Sequence, residues 1–140
     1  MPGARIWTLP EANAALGQVR MLLGDARDAA RRMRDAQENM QDLRIVYGDA
    51  VMAPGAATNE EFAQYLEAFR AAKAASEAAL LRFSALGIEV KDLEQGLVDF
   101  RGEVGGREVY LCWKDGEDSV RFWHSLESGF RGRKPIPGIA

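Results

Sequence analysis

The chain has 140 residues, of which 47% are hydrophobic and 28% are charged, and its formal net charge is -3. This composition is that of a folded globular protein, and it excludes collagen-like and highly charged disordered chains. Because domains usually contain about 100–150 residues, we expect a single domain over residues 1–140. The acidic excess argues against nucleic-acid binding, since non-specific binding requires a clear surplus of positive charge.

The chain contains one cysteine, Cys112, and one histidine, His124. A disulfide within the chain or a zinc cluster of several thiolates is therefore excluded. Residues 1–20 lack the apolar core of a secretory signal, and no run approaches the length of a membrane span. We therefore expect a cytoplasmic protein that does not associate with membranes.

The first predicted element is a long α-helix over residues 8–47. Thr8 and Glu11 have the spacing of a capping box, and Pro10 falls in the first turn, where a missing N–H costs nothing. Gly48 stands where a glycine commonly ends a helix. Two seams with a seven-residue repeat run along this helix: Val19, Ala26, Met33, Met40 and Tyr47, and Leu22, Ala29, Ala36 and Leu43. A helix of about 40 residues would be about 60 Å long and would need a partner along its whole length.

A second long helix is predicted after a loop. Residues 48–58 are rich in glycine, alanine and proline, which predicts the loop, and residues 59–86 again show a helical period. Gly87 suits the left-handed residue that ends a helix. We predict that the two helices form an antiparallel helical hairpin with coiled-coil character. Alanine dominates both seams, so each residue buries little area, and we expect a homodimer or higher homo-oligomer in which a second subunit, the C-terminal region or both cover the helices.

The period of apolar residues changes to two after the second helix, which is typical of strands. We predict a small antiparallel β-meander over residues 88–123, with three strands and with residues 88–90 as either a fourth strand or an extended lead-in. The overall fold class is therefore α+β. Residues 128–140 are rich in glycine and proline and are predicted to form an extended tail.

The strongest predicted strand presents apolar side chains on both faces. Val109, Leu111 and Trp113 share one face, whereas Tyr110 and Cys112 share the other. We expect the helices to cover one face of the sheet, and the tail or a partner to cover part of the other.

His124 is the first candidate for chemistry, because its side chain alone titrates near neutral pH. Asp92, Asp99 and Glu127 lie before the sheet, on its first strand or just after His124. A histidine with a carboxylate can transfer protons or bind a divalent metal. We therefore take all four residues as candidate catalytic residues, and His124 with Asp99 as candidate metal ligands. The alternative is structural, with His124 capping the strand end through a hydrogen bond, and the spacings identify no cofactor.

Three basic residues, Arg131, Arg133 and Lys134, form a compact cluster in the tail. Three positive charges are few for nucleic-acid binding, and we expect them to pair with acidic surface, with Arg133 as a candidate for holding an anionic ligand. Trp113 is expected in the core or an interface, with stacking on a ligand as the alternative. Cys112 is expected to be a small buried apolar residue rather than a nucleophile.

Several segments together resemble a family of uncharacterised bacterial proteins, the domain of unknown function 2203. They are WTLPEAN near the N-terminus, then GIEVKDLEQGLVDF, GREVYLCWKDGE and FWHSLESGFRGRKPI. The resemblance spans nearly the whole chain and implies a small cytosolic bacterial protein, with no particular catalytic residue. Because Arg107 lies in these segments, it joins Trp113 and Arg133 as a candidate ligand-binding residue. The positions to inspect within these stretches are Asp92, Gly96, Asp99, Arg107, Trp113, His124, Gly129, Phe130 and Arg133.

Three functions remain open from the sequence, of which nucleic-acid binding through Arg131, Arg133 and Lys134 is the least favoured. The first is a binding or assembly module that forms homo-oligomers through its helical hairpin. The alternative is a small enzyme or metal-binding protein whose site is built around His124 and nearby carboxylates.

Overall fold

The structure is a computed structural model that describes residues 5–53, 55 and 59–138. Its helices precede a five-stranded antiparallel sheet, so the fold class is α+β, as predicted. The helices are α1 (Leu9–Ala14), α2 (Leu16–Tyr47) and α3 (Asn59–Leu86). The strands are β1 (Ile88–Asp92), β2 (Leu97–Val104), β3 (Arg107–Lys114), β4 (Phe122–His124) and β5 (Lys134–Pro135).

The helix predicted over residues 8–47 is divided into α1 and α2 at Ala15. The capping box is present, because Glu11 N donates to Thr8 Oγ1 over 3.2 Å and Thr8 N donates to Glu11 Oε1 over 2.8 Å. At the break, the Ala15 N–H bonds to the carbonyls of both Glu11 and Ala12, which tightens the last turn of α1. No glycine or proline marks this position, so the sequence carried no signal for it.

Part of the predicted loop over residues 48–58 forms a short helical turn. Gly48 has φ 76° and follows the last residue of α2. A short 3-10 turn, Asp49–Met52, comes next and buries Val51. Positions 54 and 56–58 of the predicted loop lie outside the described residues. The helix α3 spans the predicted residues 59–86 and ends at Gly87, where φ is 78°.

The sheet has more strands than the sequence indicated. Its five strands lie side by side in chain order, with every neighbouring pair antiparallel. The predicted extended tail is the source of β5, which pairs with β4 at the edge of the sheet. The Ile136 N–H also donates to the Arg121 carbonyl, and the Ile136 side chain is buried. A two-residue edge strand that contains Pro135 has too little periodicity to be recognised from sequence.

The two faces of the sheet have different characters, whereas the sequence of β3 suggests apolar side chains on both faces. One face belongs to the apolar core, in which the helices contribute Leu16, Val19, Leu23 and Phe83, and the strands contribute Val98, Phe100, Val109, Leu111 and Trp113. The opposite face carries the polar residues Asp99, Arg101, Tyr110 and His124 together with Cys112. Since neighbouring strands are in register, Asp99 stands beside Cys112, and Tyr110 stands beside His124.

The chain divides into two compact units. The first contains the described residues of 1–24 and 80–140, and it holds the sheet and the whole of the apolar core. The second contains those of 25–79, where the buried apolar residues are Ala26, Ala29, Ala36, Leu43, Val51, Ala72 and Ala79. No helix among the described residues has both the length and the apolar character needed to cross a membrane.

Candidate functional site

A histidine and an aspartate are buried together on the polar face of the sheet. Asp99 comes from β2 and His124 from β4, on either side of the central strand β3. The His124 Nε2 and Asp99 Oδ2 atoms are 2.9 Å apart, and the two side chains are 4% and 2% exposed. Charged and polar side chains are buried this deeply only when they are paired.

The hydrogen bonds fix how many protons the pair holds. His124 Nδ1 lies 2.9 Å from the Ser125 carbonyl oxygen, which can only accept, so Nδ1 carries a proton and donates it. A second proton lies between His124 Nε2 and Asp99 Oδ2, on one atom or the other, and forms the hydrogen bond that joins them. The pair is therefore either imidazolium with carboxylate or neutral imidazole with carboxylic acid, and both forms have zero net charge.

Burial changes the acidity of Asp99. Removal from water raises the pKa of this carboxyl above its ordinary value, and the favourable charges of His124 and Lys91 only partly oppose that rise. A raised pKa in a buried group beside a cavity is characteristic of functional sites, although structural networks also produce it.

Cys112 joins the pair as a third buried group. Its Sγ atom, a carboxylate oxygen of Asp99 and a ring nitrogen of His124 all lie within 4.8 Å of one another. Burial raises the pKa of the Cys112 thiol to about 12, the Asp99 charge adds to that rise, and the Arg133 guanidinium opposes it. The thiol is therefore protonated at neutral pH and is a poor nucleophile by itself.

A second polar network borders these three residues. The Tyr110 hydroxyl donates to Glu89 Oε1 over 3.2 Å, and Lys91 Nζ donates to the same oxygen over 2.9 Å. Arg101 donates to the Tyr110 hydroxyl over 3.3 Å and pairs with Glu108. Burial by itself would raise the pKa of Glu89, but the bonds from Lys91 and Tyr110 outweigh it and lower that pKa. Lys91 lies where the register between β1 and β2 shifts, and such bulges redirect side chains near binding sites.

The segment after β4 covers part of the polar face, as expected for the tail. Arg133 anchors it, with its guanidinium nitrogens 2.7 and 3.1 Å from the two carboxylate oxygens of Glu117. The guanidinium carbon lies 4.0 Å from the ring centroid of Phe122 and 4.2 Å from that of Phe130. A charged group held by a carboxylate and two aromatic rings has little freedom to move, so this segment is firmly attached to the sheet.

A cavity of about 370 Å³ lies between this segment and the sheet. Its wall contains Asp99, Cys112 and His124, so the buried cluster is reached from the cavity. The remaining lining residues are Lys91, Asp92, Leu97, Tyr110, Leu126, Glu127, Ser128, Gly129 and Phe130. The volume is sufficient for a small molecule, and the lining combines apolar surface with a few polar groups, as binding pockets do.

The structure brings together the four candidates that were chosen for chemistry. His124 and Asp99 are in direct contact, while Asp92 and Glu127 line the same cavity. Asp92 accepts hydrogen bonds from the backbone and side chain of Gln95, whereas Glu127 is exposed. The alternative, in which His124 only caps the end of the strand, also agrees with these contacts, because the ring bonds to a backbone carbonyl and to a carboxylate.

The three candidate ligand-binding residues do not line the cavity. Trp113 lies in the apolar core, where its Nε1 donates to the Glu117 carbonyl over 3.0 Å. Arg107 is exposed at the start of β3, opposite Val104. Arg133 pairs with Glu117 at 2.7 Å, and neither side chain lines the cavity.

Cys112 and Tyr110 belong to the site but were not among the candidate site residues. Cys112 is buried, as expected, but it faces a carboxylate and an imidazole instead of apolar side chains alone. The available signal was the two-residue alternation in β3, which already placed Tyr110 and Cys112 on the same face. The missing information was the register that aligns Cys112 with Asp99.

The chain matches the family model described as "Uncharacterized conserved protein (DUF2203)" over residues 5–136. No curated protein and no solved structure matches the chain.

Proposed function

The chain belongs to the DUF2203 family, and we propose that it is a small-ligand-binding protein whose site is the cavity beside Asp99 and His124. The alternative form of this proposal is a small enzyme that uses the same pair. The observation that carries the proposal, in either form, is a buried histidine–aspartate pair that lines a cavity of about 370 Å³.

The cost of burial supports this proposal. Replacing a buried ion pair by well-packed apolar residues is often neutral or stabilising, so such a pair is weak evidence of a purely stabilising role. Here the pair adjoins open space, its own Asp99 has a raised pKa, and it lies beside the Cys112 thiol, whose pKa is also raised. Perturbed titratable groups that converge on a cavity are the usual features of a binding or active site.

The enzyme form of the proposal rests on the proton that Asp99 and His124 share. A neutral pair with one mobile proton can accept a proton from a ligand or donate one to it, which is the requirement for general acid–base catalysis. Lys91 and Ser128 also line the cavity, and each could orient a polar ligand by a hydrogen bond.

The test is an NMR screen of the full chain with a library of small polar fragments. We expect binding fragments to shift the backbone amides of Ser128 and Gly129 and the His124 ring signals, and Asp99→Asn to weaken that binding. Arg107→Gln, outside the cavity, is the matched control and should bind as the wild type does. If no fragment binds, or if shifts fall only on the helices, the proposal is wrong.

A second candidate function is assembly, for which the second unit supplies a separate observation. We propose that the two long helices pair as an antiparallel hairpin and form a homodimer or higher homo-oligomer with coiled-coil character. At the end of α2, Ile45, Val46 and Tyr47 are 73%, 70% and 57% exposed, and the nearby Met52 is 45% exposed. Large apolar side chains that cluster on a surface are a common feature of interaction sites.

Size-exclusion chromatography with light scattering tests the assembly proposal. We expect a dimer or larger species at micromolar concentration, and its dissociation on the double substitution Ile45→Lys with Val46→Glu. Arg31→Gln on the same helix is the control. A monomeric wild type at all concentrations would overturn this second candidate and leave the cavity proposal unaffected.

The cellular compartment is also proposed. We infer that the protein works in the cytoplasm of a bacterium, which the family resemblance and the free buried thiol of Cys112 support. Fractionation of a native host with an antibody against the chain would test this, and recovery in the membrane or outside the cell would contradict it.

A further inference from the structure

The three buried side chains at the cavity have the donor atoms of a metal site. Asp99 offers a carboxylate oxygen, Cys112 a sulfur and His124 a ring nitrogen, and these atoms lie within 4.8 Å of one another. All three side chains are buried, in contrast to the exposed acidic clusters that are common on protein surfaces. Nitrogen, oxygen and sulfur together are the ligands of zinc, a borderline-soft ion.

The orientation of His124 fits this role. Its Nδ1–H donates to the Ser125 carbonyl over 2.9 Å, which turns Nε2 towards Asp99 and Cys112. Metal-ligating histidines almost always donate their second N–H to a carbonyl or carboxylate in this way, because the bond fixes the tautomer and the ring plane. Ser125 supplies that bond from its backbone, so no additional side chain is needed.

The distances between the donor atoms are close to those around tetrahedral zinc. Bonds of roughly 2.0–2.1 Å to nitrogen and oxygen and about 2.3 Å to sulfur place nitrogen and oxygen about 3.3 Å apart, and sulfur about 3.6 Å from each. Nε2 and Oδ2 are now 2.9 Å apart, and Sγ is within 4.8 Å of the other two donor atoms. The pair would separate by a few tenths of an ångström, and the sulfur would move by up to about 1.2 Å, which corresponds to a χ1 rotation of roughly 40°.

The charges around the cluster also favour a divalent cation. A metal-bound thiol loses its proton outright, so Cys112 and Asp99 would together supply two negative charges. Two cations whose charges act on the cluster have carboxylate partners: Lys91 pairs with Glu89 at 2.9 Å, and Arg133 pairs with Glu117 at 2.7 Å. The exposed carboxylate of Glu127 and the half-buried one of Asp92 line the approach through the cavity.

We propose that Asp99, Cys112 and His124 bind one zinc ion, or a similar divalent transition metal, whose fourth coordination position opens into the cavity. The inference rests on the proposed ligand-binding function and names the metal through which ligands would be held. Three protein ligands with one open position is the arrangement of catalytic zinc, whereas structural zinc is usually closed by four protein ligands. The open position would accept water or a donor atom of a small ligand in the cavity.

Cobalt substitution and zinc calorimetry on the full chain test this proposal. We expect the wild type to bind one equivalent of Co²⁺, with the visible bands of tetrahedral cobalt and a near-ultraviolet sulfur-to-cobalt charge-transfer band. Zn²⁺ should displace the cobalt with a stoichiometry of one. Cys112→Ser should remove the charge-transfer band, and His124→Gln should lower the affinity by more than the roughly 100-fold that loss of an outer-sphere partner costs.

Glu103→Gln is the matched control, because it removes an exposed carboxylate from β2 that belongs neither to the cavity wall nor to the cluster. It should bind cobalt with the wild-type spectrum and within a few-fold of the wild-type affinity. The wild-type spectrum decides the question even if a cluster variant fails to fold. Absence of stoichiometric binding, or binding without the sulfur band, would overturn the metal proposal. Fragment binding in the NMR screen would then still support the cavity as a binding site, so the two failures are distinguishable.

Discussion

At the scale of single residues, the dependence of His124 and Asp99 on each other is the central property. Each is almost fully buried, and each supplies the main hydrogen-bond partner of the other. Removing one partner would leave the other in a low-dielectric environment without compensation, which costs more than the pair contributes as a whole.

His124→Ala should therefore lower the free energy of unfolding by about 3–5 kcal/mol, because Asp99 would be buried without its partner. The double substitution Asp99→Leu with His124→Leu should cost less than the sum of Asp99→Leu and His124→Leu made singly. Urea unfolding followed by circular dichroism measures the wild type and these four variants. Arg107→Ala, at an exposed position, is the control and should change stability by less than about 0.5 kcal/mol. Strict additivity of the two single substitutions would contradict the mutual dependence.

Cys112 gives stability a dependence on alkaline pH. Its folded pKa is raised from 9.0 to about 12 by burial, so the folded protein keeps a proton that the unfolded chain releases. This contribution to stability is complete below pH 9 and is lost as pH rises from 9 towards 12. The slope approaches about 1.4 kcal/mol per pH unit for one proton.

Unfolding by urea between pH 8 and 10.5, on the metal-free wild type and Cys112→Ala, isolates this effect. The difference in stability between the two proteins should be constant up to about pH 9. Above that pH, the wild type should lose stability relative to Cys112→Ala. Parallel curves over the whole range would show that the thiol ionises equally in both states. Iodoacetamide should label the folded wild type slowly at pH 8 and the urea-unfolded chain rapidly.

At the scale of secondary-structure elements, the joining of β2 to β3 and to the N-terminal segment determines the geometry of the site. Gly102 lies in β2, with its backbone beside Trp7 and its α-carbon against Leu111. A Cβ at this position would be 2.8 Å from Leu111 Cδ1 and 3.0 Å from the Trp7 carbonyl oxygen. The glycine is therefore required by close packing and not by an unusual backbone angle.

Gly102→Ala should destabilise the protein by about 1–3 kcal/mol, the usual cost of overpacking a core, because Leu111 and the Trp7 backbone must move. Gly129→Ala is a suitable control, since no atom lies within 4 Å of a Cβ placed there. Thermal unfolding of the two variants beside the wild type provides the comparison. Equal melting temperatures for Gly102→Ala and the wild type would mean that the core at Leu111 yields more easily than close packing predicts.

At the scale of the whole molecule, the two units differ in what they bury. The first unit contains large buried side chains such as Trp113, Phe83 and Phe100, whereas the buried residues of the second are mostly alanines. Since apolar burial contributes about 25 cal/mol per Å², alanines stabilise much less per residue than aromatic side chains do. Local stability should therefore differ between the units.

Native-state hydrogen exchange measured by mass spectrometry should show this difference. We expect the amides of β2 and β3 to exchange only through global unfolding. The amides of residues 30–45 and 62–77 should exchange through local openings that require less free energy than global unfolding. If the helices assemble, protection in the second unit should increase with protein concentration while protection in the sheet remains constant. Equal protection in both units at low concentration would contradict the difference in burial.

The limits of prediction from sequence are clearest at the site. His124 and Asp99 were both candidates because of their chemistry, but they are 25 positions apart, and no local spacing indicates a contact. Cys112 was correctly expected to be buried, yet its role in the cluster depends on the register of two strand pairs. Arg107 and Trp113 were equally plausible by residue type, and only their positions in the fold separate them from the cavity.

The sequence by itself determined the elements that local chemistry controls. These are the capping box at Thr8, the long helices from their 3.6-residue period, the glycine that ends α3, and the two-residue alternation that separates the two faces of β3. Tertiary structure alone decided the break at Ala15, the fifth strand, and the meeting of Asp99, Cys112 and His124. The physical reason is the range of the interactions: caps and periodicity act within a few residues, whereas strand register and burial are set by the packing of the whole unit.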